Sequence, residues 1–297
     1  MVTVALLRVD ADASPSALLA AAGSLAAAGV AGVGFLDAAD LGTDLGATES
    51  SLLATAAALE LEGVGVVGTQ SGLYGFPYHS ARRFATLDHL SGGYAGWLVR
   101  TTSSGPESLG HAWRSTGDRA AELGRCSEHL EISYRLWDSW EDGAQWPDKE
   151  TGDFKDDSRI HSIDYVSEAF QVAGPLDVPP SPQRRPVILV GVSTVAEAAA
   201  LGPWTDVAVV TPGPDGSAPL VVAAREAGAS LVLLRVDDPA DPASAATLAA
   251  AAGADGVAPV LSVEAALTWS DVASAPAGGT FAERLGLATF EHGSRTA

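Results

Sequence analysis

The sequence predicts an α/β fold built as a TIM (β/α)8 barrel, and three observations lead there. Short Val/Leu-rich runs alternate with longer Ala-rich stretches of helical character along almost the whole 297-residue chain. The runs are close to continuously apolar, the pattern of parallel strands buried on both faces. Four such units precede an irregular middle and four follow it, and eight is the count of a TIM barrel. A doubly wound open sheet has the same periodicity, so the pattern alone leaves closure of the sheet open.

The elements follow in order. "VTVALLR" at 2–8 reads as a buried strand, and "SALLAAAGSLAAAG" at 16–29 as a helix ended by Gly29. "GVGFLD" at 32–37 is the second strand, "ESSLLATAAALEL" at 49–61 a helix and "GVGVVGT" at 63–69 the third strand. "PYHSARRFATLDHLSGGYAGW" at 77–97 starts as a helix with Pro77 in its first turn, where a missing N–H costs little. Gly92 and Gly93 stop that helix, and "YAGWLVRT" at 94–101 is strand four. In the second half the strands are "PVILVGV" at 186–192, "DVAVVT" at 206–211, "SLVLLRV" at 230–236 and "DGVAPVL" at 255–261. Helices "TVAEAAALG", "APLVVAAREAG" and "PASAATLAAAAG" separate them.

Residues 102–185 break the rhythm with one long helix, about 117–140, then the polar "EDGAQWPDKETGDFKDDSRIHSID" and the Pro-rich "GPLDVPPSPQRRP". Because the βα alternation resumes afterwards, this segment reads as an insertion on one domain spanning 1–297, between strands four and five. It does not read as a linker between two domains.

Composition narrows the class. A chain 47% hydrophobic and 18% charged, with 32 glycines, can bury a large core. The net charge of −20 argues against nucleic acid and anionic membrane surfaces as partners, since both are polyanions. The longest apolar stretches are broken by glycine, so none reads as a membrane span. The N-terminus has no basic start and is not expected to be a signal peptide. Cys126 is the single cysteine, so no intrachain disulfide can form and a reducing cytoplasm is the expected home.

No Gly-x-Gly-x-x-Gly follows a strand, and there is no Walker loop, His-Glu-x-x-His or cysteine cluster, so no motif announces a nucleotide or a metal. The six histidines are scattered at 79, 89, 111, 129, 161 and 292. His79 sits in the first turn of its helix, near the C-terminal end of strand three, where TIM-barrel chemistry collects, and is expected to meet a ligand. His89, ten residues on, is expected to be structural, and Arg82 and Arg83 to pair with acids of neighbouring helices.

Several stretches carry a resemblance. "PYHSARRFATLDHLSGGYAGW" resembles the segment of bacterial luciferase-like flavin monooxygenases in which a helix and Ser-Gly-Gly lead into strand four. "LWDSWEDGAQWPDKETGDF", "RIHSIDYVSEAFQVAGPLDVPPSPQRRPVI" and the tail "FAERLGL" are similar to the branch containing nitrilotriacetate, dibenzothiophene-sulfone and pristinamycin-type monooxygenases. The resemblance runs with gaps from strand one to the tail, and is most specific in the middle third. It implies a TIM barrel, often dimeric, that binds reduced FMN supplied by a separate NAD(P)H:flavin reductase and uses O2 on a small organic substrate. The cofactor would carry the hard chemistry while the protein orients it and excludes water.

Carried onto this chain, the resemblance makes Ser193 and Thr194 the phosphate holders, helped by Arg125. Thr69, Tyr74 and His79 would line the flavin or substrate side, and Thr101 and Thr102 the top of strand four. An alternative for Ser193 and Thr194 is that they cap the following helix.

The chain also departs from the family pattern. Leu98 stands where the family has an asparagine that hydrogen-bonds the flavin ring, and Cys126 replaces the tyrosine of an Arg-Tyr pair that reaches the phosphate region. Where the family reads Gln-Ala-Gly-Ser-Ser-x-x-Gly, this chain has Val192 and Glu197 in place of both glycines. A turn needing positive φ would tolerate Val192 badly, and an inward Glu197 would repel a phosphate. The loops expected to cover the site are shortened, and nothing in the sequence identifies the substrate. Two functions follow from this: an FMN-dependent monooxygenase, or a barrel that keeps the scaffold without ordinary FMN use, as a partner subunit or small-molecule binder.

Overall fold

The computed structural model describes residues 1–10, 12–36, 48–102, 111, 113–115, 117–214, 216–270, 272, 275–276 and 278–293. Asp37, read above as the end of the second strand, lies outside them.

Eight parallel strands close into a barrel. In chain order they are β1 (Val2–Arg8), β2 (Gly32–Leu36), β3 (Gly65–Ser71) and β4 (Ala95–Arg100), then β7 (Val187–Val192), β8 (Val207–Val210), β9 (Leu231–Asp237) and β10 (Gly256–Leu261). Each pairs with its neighbour in parallel, β4 with β7 across the irregular segment and β10 with β1 to close the ring. The open-sheet alternative is thereby excluded.

Each barrel strand is followed by a helix. These are α1 (Pro15–Ala27), α2 (Ser50–Glu60), α3 (Pro77–Ser91), α4 (Arg119–Trp137), α5 (Val195–Leu201), α6 (Ala218–Glu226), α7 (Pro242–Ala251) and α8 (Val263–Thr268). A short α9 (Phe281–Arg284) comes last. Helix α4 packs against α3 and α5 and so takes the helix position of the fourth unit. The irregular part of the middle segment therefore begins after it, and contains a two-stranded hairpin, β5 (Tyr165–Val166) and β6 (Gln171–Val172).

The strands are apolar throughout because alternate residues serve two cores. On β7, Val187 and Leu189 point into the barrel with Val4, Leu6 and Val67, while Ile188 and Val190 meet the helices. The inner core is plugged at the N-terminal end by Phe281. A Cβ on Gly32, Gly65 or Gly96 would come within 2.9, 2.2 or 3.0 Å of its ring, so three strands carry glycine in their first two residues to admit one aromatic side chain. That contact accounts for the "FAERLGL" tail.

The segment 77–97 braces the fold. Asp88, wholly buried at the end of α3, accepts the Ala95 N–H at 3.2 Å and the Gln183 N–H at 3.1 Å. Gln183 Nε2 donates to Asp88 at 2.6 Å and to the Ala95 carbonyl at 2.7 Å, tying the Pro-rich segment to strand four. Gly92 ends α3 in the left-handed region at φ 66°, as a glycine C-cap does. Trp97 stacks on Phe84 at 4.9 Å and donates from Nε1 to the Gln70 carbonyl. Arg82 pairs with Asp177, which lies in the irregular segment and not on a helix, and Arg83 with Glu49, the N-cap of α2. His89 meets the Pro179 carbonyl at 3.0 Å. In "RRP", Arg185 makes a two-pronged pair with buried Asp206, at 2.6 and 3.0 Å. No helix among the described residues is long and apolar enough to cross a membrane.

Candidate functional site at the mouth of the barrel

The C-terminal ends of the strands surround a cavity of about 200 Å³. Its floor is apolar, from Leu6, Leu36, Leu98 and Val209, and its rim carries Thr101, Thr102, Ser193, Glu197, Thr211 and Arg235. The rim is polar because strand ends leave backbone groups and short side chains facing upward, where barrel sites are built.

The turn from β7 into α5 organises the rim. Thr194 is the N-cap of α5: its hydroxyl accepts from the Glu197 N–H at 3.2 Å, in a capping box with Glu197. The Glu197 side chain then folds back over the turn. Its Oε2 accepts from the Ser193 N–H at 2.7 Å, the Ser193 hydroxyl at 2.7 Å and the Thr194 N–H at 3.0 Å. Its Oε1 accepts from Arg119 Nη2 at 2.6 Å. Arg119 also donates to the Thr101 carbonyl, to Thr101 Oγ1 at 2.9 Å and to Glu122 Oε2 at 3.0 Å.

Glu197 is 6% exposed. Burial alone would raise its pKa, but the Ser193 donors and the Arg119 guanidinium outweigh that and hold it below the ordinary glutamate value. The group at this turn is a carboxylate at neutral pH.

This geometry bears directly on FMN. The backbone N–H groups and hydroxyl that a phosphate would use at this turn are already donated to Glu197. A phosphate would have to displace a like charge from them, and α5, with seven residues, offers little dipole in compensation. At the other end of the cavity Leu98 offers no donor to a flavin ring edge. The residues present do not fit an FMN held by its phosphate.

The structure brings together Ser193, Thr194, Thr101 and, on the rim, Thr102. It does not bring Arg125 to them: that residue lies on the outward face of α4 in a different cavity. Thr69 is buried beneath the mouth, with its hydroxyl donating to the Phe35 carbonyl at 2.6 Å. Tyr74 packs on His111 and Trp113, and His79 is exposed on α3 beside Phe76 and Tyr78.

Val192 is not a point of strain, contrary to the expectation from the sequence. It is the last residue of β7, packs into the outer core and has no positive φ, so its side chain strains nothing. Cys126 is wholly buried; burial pushes its thiol up to about 12, so it is neither a thiolate nor a polar ligand. Arg119 was not singled out from the sequence. Its only local signal is an i, i+3 spacing to Glu122, and nothing ties it to Glu197 seventy-eight residues on.

No family model matches the sequence. The chain is 42% identical over 124 residues to the N-acetyl-S-(2-succino)cysteine monooxygenase of Bacillus subtilis, across 42% of this chain and 28% of that protein. It is 32% identical over 178 residues to one of the subunits of the pristinamycin IIA synthase of Streptomyces pristinaespiralis, across 55% of this chain and 58% of that one. Each match thus spans less than two thirds of the relative, although the second relative is of similar length to this chain. A long-chain alkane monooxygenase superposes with a TM-score of 0.79 at 17% identity, over 96% of this chain and 95% of the other, which is agreement in fold. Over these spans the chain is similar to luciferase-like monooxygenases, and its barrel shares their fold.

Proposed function

We propose that this chain is an accessory barrel of a luciferase-like monooxygenase. It keeps the family scaffold, does not hold FMN by its phosphate, and works as the partner subunit of a flavin-bearing homologue. The observation that carries this reading is the Glu197 carboxylate seated on the donors of the β7–α5 turn. Like charges about 4 Å apart at a protein surface repel by about 1–4 kcal/mol, which alone is a loss of phosphate affinity between roughly fivefold and roughly a thousandfold. The small cavity and the apolar Leu98 at the ring side point the same way. So does the likeness to a protein that is itself one subunit of a synthase. We read residues 1–297 as one domain acting in a reducing cytoplasm.

Anaerobic titration with oxidised and reduced FMN tests the reading. No saturation is expected below about 100 μM for either form, whereas submicromolar binding would overturn it.

A second reading is an FMN-dependent monooxygenase in its own right, homodimeric, taking reduced FMN from a separate reductase and O2 to a small organic substrate. It is favoured by Ser193 and Thr194, whose N–H groups converge on one point. With Glu197 swung outward, those donors and Arg119 would be available to a phosphate, and Thr101 and Thr102 would lie beside it. Reduced-FMN binding together with a homodimer in sedimentation would favour this second reading.

A further inference from the structure

Helix α4 also lines a second cavity. Ala121, Gly124, Arg125 and Glu128 recur at three- and four-residue spacing on one face of it. With the 167–170 turn of the β5–β6 hairpin and with His111, Trp113 and Arg114, they bound a cavity of about 640 Å³. That lies within the range of small-molecule sites, about 300–1,000 Å³. Three of its walls are aromatic: Phe76, Trp113 and Phe170.

Arg125 lies at the centre. Its guanidinium carbon is 4.2 Å from the Phe170 ring centroid and 4.9 Å from that of Trp113. Its Nε donates to the Leu73 carbonyl at 2.9 Å. Among the described residues neither Nη group has a hydrogen bond and no carboxylate forms an ion pair with Arg125. Burial lowers its pKa from the ordinary value, with Glu128 only partly offsetting that, yet a guanidinium remains charged at any physiological pH.

A half-buried cation with rings on its flanks and an open two-donor edge is an incomplete arrangement. The group that completes it is planar and accepts two parallel hydrogen bonds, which is the geometry of a carboxylate. The ring walls call for a flat apolar body behind that carboxylate. Glu128 and Glu168 on the rim disfavour a second negative charge on the ligand. His111 stands beside this edge as a further polar group of the wall.

We propose that this cavity is a binding site for a planar aromatic monocarboxylate, with the carboxylate on the Nη edge of Arg125 and the ring against Trp113 and Phe76. The site is separate from the barrel mouth and does not depend on whether flavin binds there.

Calorimetric titration of the whole chain with 2-naphthoate tests it, with 2-naphthylmethanol and cyclohexanecarboxylate as comparisons. Saturable one-to-one binding of 2-naphthoate is expected, with both comparison compounds at least about tenfold weaker. Arg125→Gln should weaken 2-naphthoate binding by about tenfold or more. Phe76→Ala changes a side chain that is 62% exposed, so the fold should not suffer, and a loss of about threefold is expected there. Should Arg125→Gln fail to fold, Phe76→Ala carries the test alone. No binding of 2-naphthoate at about 10 mM would overturn the proposal. So would equal binding of either comparison compound, or affinity unchanged in a folded variant.

Discussion

Two arginines six residues apart on α4 stand in opposite settings. Six residues turn a helix by about 240°, so Arg119 and Arg125 face different cavities. Arg119 meets two carboxylates and both oxygens of Thr101; Arg125 meets two rings and one carbonyl. At the β7–α5 turn the chain satisfies its own donors, and the place where an anion could sit is filled by Glu197. At the second cavity nothing among the described residues completes the cation. Positive charge near a cavity therefore says little about ligands until its partners are counted.

Removing Glu197 should break this contrast most sharply. Glu197→Ala leaves Arg119 with Glu122 and hands the Ser193 and Thr194 donors, which lie on exposed residues, to water. What is lost is chiefly the partly exposed Arg119–Glu197 pair, and a net loss of about 1–3 kcal/mol is expected in urea unfolding. The emptied cradle should then resemble the Arg125 side and accept an external anion. Inorganic phosphate at about 10 mM should raise the melting temperature of the variant and leave that of the parent unchanged. If phosphate fails to stabilise a folded Glu197→Ala protein, Glu197 was not occupying an anion site.

His129, one turn beyond Arg125, gives a second way to sharpen the comparison. It is wholly buried, with Nε2 at 3.0 Å from Ser80 Oγ and its ring against Trp97 and Phe170. Burial, then Arg125 and His111, push its pKa down to about 3. In the unfolded chain it takes a proton below about pH 6.5, while the fold keeps it neutral, so the unfolded state binds more protons and stability falls as pH drops through that window. Glu197 works in a lower window: its depressed pKa adds stability above about pH 4.5, and this is lost as pH falls through the folded value. Between about pH 6 and 5 the parent should therefore lose up to about 1.4 kcal/mol per pH unit relative to His129→Gln. Parallel pH profiles for the two proteins would mean that His129 is accessible to protons in the fold.

The scaffold was legible in the sequence because its signals are local. Apolar runs gave strands within a residue or two of their observed ends, and Gly92 and Gly93 marked the end of α3. What the braces connect was not legible: Phe281 against Gly32, Gly65 and Gly96, or Asp88 against Gln183, join residues far apart in the chain. At the mouth, Ser193 and Thr194 were readable from their place between a strand and a helix. Glu197 was recognised as a misfit, but its inward fold is written locally only as the capping box Thr194-x-x-Glu197. The strain expected at Val192 failed because the alternation of β7 turns that side chain toward the helices. The Arg125 cavity had no sequence signal, since its aromatic walls come from three separate segments.

The smallest expected effect is the one that decides whether Arg125 belongs to the architecture. Arg125→Met removes two ring contacts, each worth about 0.5–1 kcal/mol, and one hydrogen bond to the Leu73 carbonyl. It also removes the cost of half-burying an unpaired charge and puts a flexible apolar side chain between Phe170 and Trp113, where sulfur packs well on rings. These terms oppose one another, and the net change in unfolding free energy should lie within about 1 kcal/mol. Arg119→Met has no such compensation. It leaves Glu122 and Glu197 as neighbouring buried carboxylates without their cation, and should cost about 3 kcal/mol or more. Urea unfolding of the two variants at neutral pH measures both. If Arg125→Met proves as costly as Arg119→Met, Arg125 is a structural residue and the two faces of α4 do the same work. A large difference means that one arginine holds the fold together while the other is kept at little cost to stability for something outside the chain.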